Sequence, residues 1–532
     1  MPITTFARGT DEVSLHEQLT NLLLPPLLAV SIALFWLVPL SSSFWIDEIA
    51  TAFVVRAGRF HPSLAVAPQI GTSIYYFLPR MTLALLGFPE IAYRLPSLLA
   101  MGIAVFLTAT VAARLIHPRA WWFAVFACLA LRGINYQAAD ARPYALGSCL
   151  AAASFWFLVG WLDLARWREA WLFLLFAGLL WRVHLIFWPL YFVFVLYTMA
   201  RLTRHDTRIT WFHALAAFTF LGVILLPVLF EAIPLLRQAR FHVIAPIPSL
   251  RDLESSLKLG LVGVCGIGAW LLSRQRSARS SAAVNPATKS SRAREEAARW
   301  FRLPKSGKVP SLASFVLILG WWLCSPLCLF AFSRLTGISV FLPRYLFVAL
   351  PGAALCATLA AGLFIPPRHW NRLALVLAVG TLLNPTLWRN PWPQHDNSDW
   401  RAAAHQVNEL ARDSAIPVIC PSPFIEARPP TWRPDYSLPG YLYAHLLVYP
   451  IQGKQYLFPF EASPEAERFA VTLTEQTLSA SGRFVIYGWA GNVRFWRLWF
   501  ASRPEFAGWR QIPRGPFGNI EVVEFENRSR KD

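Results

Sequence analysis

Asp47 and Glu48 stand side by side in Trp45-Ile-Asp47-Glu48, directly after residues 19–40, the first apolar stretch long enough to cross a bilayer. An ionised carboxylate is costly in hydrocarbon, so a pair where a helix leaves the membrane marks a candidate functional site. Neighbouring side chains on a helix point about 100° apart, so one acid faces a given cavity and the other does not. A solvated interface pair opening a membrane-parallel helix would look the same.

Cations gather at the same level. Arg94 opens the second span in Glu90-Ile-Ala-Tyr-Arg94-Leu-Pro96. Asp140-Ala-Arg142-Pro-Tyr144 closes the third, with Pro143 suited to the first turn of the next helix. Arg182 and His184 fall between two spans, and Arg344-Tyr345 begins a late one. Singly, each reads as an interfacial residue: a snorkelling Arg, a belt Tyr, a locally satisfied His. Together, four arginines at outer helix ends are less ordinary. Guanidinium binds phosphate through paired N–H donors, so one acid with several arginines suits a lipid-phosphate substrate.

The elements that position them are membrane helices. The chain has 532 residues, 55% hydrophobic and 15% charged, with mean hydropathy +0.42, where globular domains run to about a quarter charged. The fold class is therefore a polytopic α-helical membrane protein. We read about eleven spans: 19–40, 94–113, 120–137, 144–162, 170–184, 186–203, 211–230, 258–273, 310–332, 345–365 and 372–388. The net charge of +19 collects in the loops of one face (Arg114, Arg119, Arg166, Arg168, Arg201, Arg204, Arg208, Arg368, Arg372 and 274–309), which makes that face cytoplasmic. Nucleic acid is not a partner, because no binding module accompanies the basic residues. The N-terminus is then inside, in the inner membrane of a cell. Segment 41–93 and everything after 390 are extracytoplasmic. Residues 72–87 are read as an interfacial helix, since one more span would invert every later loop. Arg132 is the main charge inside a span. Residues 274–309 read as a flexible cytoplasmic linker lying near membrane lipids.

Two domains follow: 1–390 in the membrane, and 391–532 as a small α/β domain. In the latter, 399–412 has helical periodicity with Ser398 or Asp399 as cap, and Ile416–Cys420, Arg483–Tyr487 and Val522–Phe525 read as strands. Asn492–Trp499 reads as a further helix.

With these pieces in hand, the chain resembles the C-type membrane glycosyltransferases, in the group of the protein mannosyltransferases and the aminoarabinose transferases acting on lipid A. The matching segments come in family order: Trp45-Ile-Asp47-Glu48, Gly87-Phe-Pro-Glu90-Ile-Ala-Tyr-Arg94-Leu-Pro-Ser, Ala141-Arg142-Pro-Tyr144, Pro343-Arg344-Tyr345 and Asp399-Trp400-Arg. The resemblance implies inverting transfer of a sugar from a polyprenyl-phosphate donor to an extracytoplasmic acceptor of unknown identity. It implies Asp47 as base, and Arg94, Arg142, Arg182 and Arg344 around the leaving phosphate. Glu48 would shape the site or help to hold a metal ion. Asp140, Tyr144, His184 and Tyr345 would shape the site too. Relatives often carry a basic residue and Pro-Pro before the pair that is Tyr75-Tyr76 here; this chain has Gly71-Thr-Ser-Ile. Metal dependence stays open. A transporter or flippase of lipid-linked sugars, and a polymer ligase using a diphosphate carrier, are the alternatives. Polar clusters at the outer surface argue against the first, because transporters gather theirs near the midplane.

Overall fold

The computed structural model of the protein describes residues 15–67, 72–87, 89–242, 245–282, 311–384, 398–412, 416–438 and 440–527. Most of the expected 274–309 linker, and the expected domain boundary near 390, lie outside these residues. The chain is an integral membrane protein. Among the described residues, seven helices are long and apolar enough to cross a bilayer, or eight if one bent pair counts as a span. The expected eleven therefore divide into two kinds. The long spans include α1 (Leu15–Ile32), which runs on through two short turns to Ser41.

Beyond α1 come two short helices, α2 (Ile46–Ala57) and α3 (Phe77–Leu86), and then α4 (Pro89–Leu115). The apolar run Ile74–Leu86 is only about 20 Å long at 1.5 Å per residue, too short for a core about 30 Å thick. Thr82 pins it against α4 by donating to the Ala92 carbonyl at 2.6 Å.

The stretch expected to span at 120–137 is broken into α5 (Trp121–Leu129) and α6 (Arg132–Ala138), with Leu131 extended between them. A broken backbone inside apolar surroundings needs its polar groups satisfied. Asn135 does this: its Nδ2 donates to the Leu129 carbonyl at 2.8 Å, and its Oδ1 accepts from Trp36 Nε1 at 2.9 Å. The break puts Arg132 at a helix start instead of mid-span.

Next come α7 (Tyr144–Leu164), α8 (Trp167–Val183), α9 (Pro189–Thr203) and α10 (Trp211–His242). The bent pair follows: α11 (Leu250–Ser256) and α12 (Leu259–Ala282) meet at 53°. Helices Leu312–Thr336, Leu350–Gly362 and Trp370–Leu383 complete the bundle. At Gly352 a Cβ would come within 2.5 Å of the Trp322 backbone nitrogen, so only glycine lets those two helices approach so closely.

The C-terminal part forms one five-stranded sheet in the order β2-β1-β3-β5-β4: β1 Pro417–Pro421, β2 Lys454–Phe458, β3 Arg483–Trp489, β4 Arg510–Phe517 and β5 Ile520–Glu526. β1 runs parallel to both β2 and β3, and β5 is antiparallel to β3 and β4. β1 is buried at every residue, as befits a central parallel strand covered on both faces. Helix Trp400–Ala411 is capped by Asp399, whose Oδ1 accepts from Ala402 N at 3.0 Å. The expected last helix runs over Ala490–Ala501.

This sheet does not hang free of the bundle. Phe44, Ile49, Phe53 and Val54 from the first loop share one apolar core with Trp400, Tyr441 and Tyr443. The Tyr449 hydroxyl accepts from Phe44 N at 2.9 Å and donates to Glu90 at 3.1 Å. Arg401 reaches the Ser41 carbonyl at 2.6 Å. Replacing Tyr449 with Phe strands the buried Phe44 N–H, a cost of about 1–3 kcal/mol. The detergent-solubilised variant should melt several degrees below the parent, with faster protease nicking in the first loop. An unchanged melting point would show that the two parts are not coupled through this contact.

Candidate active site

The first loop is organised around one buried ion pair. Arg94 and Glu48 are both fully buried and meet at 2.6 Å. Arg94 Nε and one terminal nitrogen bind the two carboxylate oxygens at 2.7 and 2.6 Å. Its other donors reach the carbonyls of Leu40, Ser42 and Ser43 at 2.8, 2.6 and 3.1 Å. Glu48 also accepts from Ala141 N at 2.8 Å and from Trp45 N at 3.3 Å, so it caps α2 from within its own first turn. The resemblance put Arg94 at the donor phosphate and made Glu48 a site-shaping residue or metal ligand; here the two are bound to each other. Arg94 has no donor left for a phosphate. Glu48 has both oxygens committed to these donors. Among the described residues, no group of three or more His, Cys, Asp or Glu side chains is placed to hold a metal ion.

The same geometry turns Asp47 outward, one helix position away. Its Oδ2 lies 3.1 Å from Arg344, with the side chain about one-fifth exposed. The contact is an ion pair by distance without hydrogen-bond alignment, and that oxygen accepts no hydrogen bond from the protein. Arg142 approaches from the other side, donating to the Asp47 carbonyl at 3.1 Å. Burial alone would lower the pKa of Arg142, but Asp47 and Tyr76 raise it well above the usual value, so it stays charged. Arg142 Nε and Arg344 Nε are enclosed without partners.

Tyr144, His184 and Tyr345 form an aromatic wall beside these groups, with centroid separations of 5.5, 5.5 and 6.2 Å. His184 Nδ1 accepts from Ile186 N at 3.2 Å, so its neutral ring carries the proton on Nε2. Asp140 sits behind the wall, accepting from Trp45 Nε1 at 3.0 Å. Burial, and then the Glu48 charge, push its carboxyl pKa well up. Arg182 lines a small recess next to His184, with Thr72, Trp181 and Glu231. Of the expected set, then, Asp47, Arg142 and Arg344 come together with Tyr144, His184 and Tyr345. Glu48, Arg94 and Asp140 form the frame behind them.

A cavity of about 930 Å³ opens from this cluster, lined by Trp45, Arg132, Gln137, Lys258 and Arg344 among others. Gln137 Oε1 is enclosed there without a partner. Lys258 and Arg132 add two cations that the outer-loop pattern missed. Arg132 was visible as an in-span charge, but only the break between α5 and α6 shows where it points. Lys258 carries no signal in the sequence; it lies at the α11–α12 bend, with a left-handed φ of 53°. Tyr76, Glu426 and Tyr441 also lie within electrostatic reach of Asp47. Two of these come from the C-terminal sheet, which no local motif could have connected to the first loop.

No known family model matches the chain, and no curated protein matches its sequence. Among solved structures it is similar to ArnT from Cupriavidus metallidurans in the apo state: 13% identity over 95% of this chain and 98% of that one, with a TM-score of 0.52. ArnT from the same organism bound to undecaprenyl phosphate gives 13% identity, 94% and 98% coverage and a TM-score of 0.49. The likeness to the apo structure is one of fold, and it spans nearly the whole chain.

Glu48→Gln leaves the Arg94 charge buried without its partner, a cost of about 3–5 kcal/mol. The expected result is loss of folded, monodisperse protein on size exclusion in detergent. Normal folded yield with turnover abolished would return Glu48 to the reacting groups.

Proposed function

We propose that the protein is an inverting glycosyltransferase that moves a sugar from a polyprenyl-phosphate carrier to an acceptor hydroxyl on the extracytoplasmic side. The supporting observation is the placement of Asp47 between Arg142 and Arg344, on the rim of a cavity that adds Arg132 and Lys258. A base, a pair of guanidinium groups and a roomy cationic chamber in this fold are what such a reaction requires.

The step balances on these residues. The acceptor hydroxyl gives its proton to Asp47. Its oxygen forms a bond to the anomeric carbon, on the face opposite the phosphate. The bond from that carbon to the phosphate oxygen breaks, and its electron pair stays on the phosphate, where Arg344 and Arg142 offset the growing charge. Without donor, Arg344 holds Asp47 as an ion pair. An arriving phosphate draws Arg344 away and frees the carboxylate. Its one-third exposure gives Arg344 room to swing. Arg94 and Arg182 are not in the donor group of this reading.

The arrangement of charges along the bundle supports the outward side for this chemistry. Arg94 and Arg114 lie near opposite ends of α4, about 30 Å apart along its axis. Arg114 and Arg201 share Asp163 at 2.7 Å each, at helix ends beside the loops that the positive-inside rule makes cytoplasmic. Asp47, beside Arg94, then faces outward.

Asp47→Asn should lower transfer by about 10²–10⁴-fold, with folded yield unchanged. Arg344→Ala should weaken donor use more than folding. Both are read with sugar-labelled polyprenyl phosphates extracted from host cells and offered with host envelope membranes. Wild-type transfer by the Asn variant would overturn the assignment of the base; movement of donor across the bilayer without transfer would favour a flippase.

A further inference from the structure

We infer that Gln137 is a specificity-determining residue for the donor: its amide hydrogen-bonds a hydroxyl of the sugar carried by the polyprenyl phosphate, in a subsite walled by Trp45. The inference rests on the transferase reading above and deepens it by placing the sugar of the donor within the cavity. Gln137 exchanges no proton or electron pair in the step; it selects the sugar and holds its ring.

Two amides stand two residues apart on the short helix α6, and the fold uses them differently. Asn135 has both ends of its amide met, by the Leu129 carbonyl and by Trp36 Nε1. That amide serves the break between α5 and α6. Gln137 is buried more deeply still, 3% exposed against 6%. Its Oε1 has no hydrogen-bond partner among the described residues. A buried acceptor left unmet is costly. Gln137 also lines the cavity of about 930 Å³, where a polar guest relieves that cost.

The chain pins Gln137 beside the reacting groups. The turn after α6 is tied to the start of α2 at three points. Asp140 accepts from Trp45 Nε1 at 3.0 Å, Ala141 N donates to Glu48 at 2.8 Å, and Arg142 donates to the Asp47 carbonyl at 3.1 Å. The ring of Tyr136, the residue before Gln137, lies 6.4 Å from that of Trp45. Trp45 and Arg344 line the same cavity as Gln137, and Arg344 lies 3.1 Å from Asp47. The proposed step needs the phosphate at Arg344 and the anomeric carbon within reach of a hydroxyl held by Asp47. The sugar joins the two, and the cavity wall next to them is that of Trp45 and Gln137.

The residue types divide the cavity by charge. Arg344, Arg132 and Lys258 are cations, suited to the phosphate. A neutral amide suits the other end of the donor. It offers one oxygen acceptor and two N–H donors, which complement a hydroxyl that both donates and accepts. Trp45 adds an apolar surface against which the C–H face of a sugar ring can rest, and Asp140 holds its indole in place. A site that hydrogen-bonds a substrate hydroxyl rejects an analogue lacking it far more strongly than an apolar pocket rejects a missing methylene. One amide in this position therefore selects among sugars that share the same carrier.

The test uses the full-length protein in detergent and two probes: the sugar-labelled polyprenyl phosphates described above, and undecaprenyl phosphate, which carries no sugar. Gln137→Leu nearly keeps the volume and removes the hydrogen bond. It should weaken equilibrium binding of the labelled donors by about ten- to a hundredfold, with binding of undecaprenyl phosphate within about twofold of the parent. The concentration of labelled donor needed for half-maximal transfer should rise by the same factor. Gln137→Asn draws the amide back by one methylene and should give the loss in weaker form; it carries the test if the Leu variant does not fold. Equal weakening of both probes overturns the inference, because the amide would then serve the carrier phosphate. Unchanged binding of the labelled donors in both variants overturns it too. Donor binding is read without turnover, which separates the two readings. Movement of donor without transfer in the parent sinks the transferase reading, while the two probes still report on Gln137. An inactive Asp47→Asn variant with an indifferent Gln137→Leu sinks only the role of Gln137.

Discussion

The buried pair of Arg94 and Glu48 is the constraint on which the outer half of this protein depends. Two charges taken out of water are tolerated only when each remaining donor and acceptor is met. Here they are met by the first loop itself. Arg94 gathers the carbonyls of Leu40, Ser42 and Ser43, which fixes the exit of α1. Glu48 takes Trp45 N and Ala141 N, which fixes the start of α2 and the loop before α7. Three chain segments are thereby locked to one helix. With Glu48 turned inward, the residue before it has to point elsewhere. The outward direction of Asp47 is thus set by its neighbour's burial and by the 100° step of the helix.

That arrangement separates two kinds of charge that look alike in the sequence. Arg94 is saturated and structural. Arg142 and Arg344 have enclosed nitrogens with nothing to bind. The difference is one of satisfaction, and it decides which guanidinium groups are available to a phosphate. Arg344 links the two halves of the proposed chemistry, because it touches the base and lines the cavity at once. In the proposed reaction a donor phosphate and Asp47 compete for the same cation.

Much of this was legible beforehand, for physical reasons. Apolar length fixed the long spans, and alternation with capping signals marked the helix after Asp399 and the strands β1, β3 and β5. The interfacial reading of 72–87 rested on loop charge, and the short helix Ile74–Leu86 agrees with it in length. What the sequence does not carry are matters of partnership. Arg94 looked like the other arginines because sequence shows a charge and not its acceptors. The 120–137 stretch looked like one span because Asn135, which satisfies the break, sits among apolar neighbours as any polar residue would. Lys258 and Tyr441 were invisible, since their placement depends on a helix bend and on the docking of a sheet encoded far along the chain.

The docking of that sheet carries the last step of the argument. A soluble domain tethered to a membrane enzyme can move freely only if its interface is small and polar. Here the interface is a continuous apolar core running from Phe53 on α2 to Tyr441 and Trp400, edged by the Tyr449 and Arg401 hydrogen bonds. Its removal would expose α2, the helix that carries Asp47. The sheet is therefore part of the wall of the site. A wall built from a separate α/β unit can vary in its loops without disturbing the Arg94–Glu48 frame beneath.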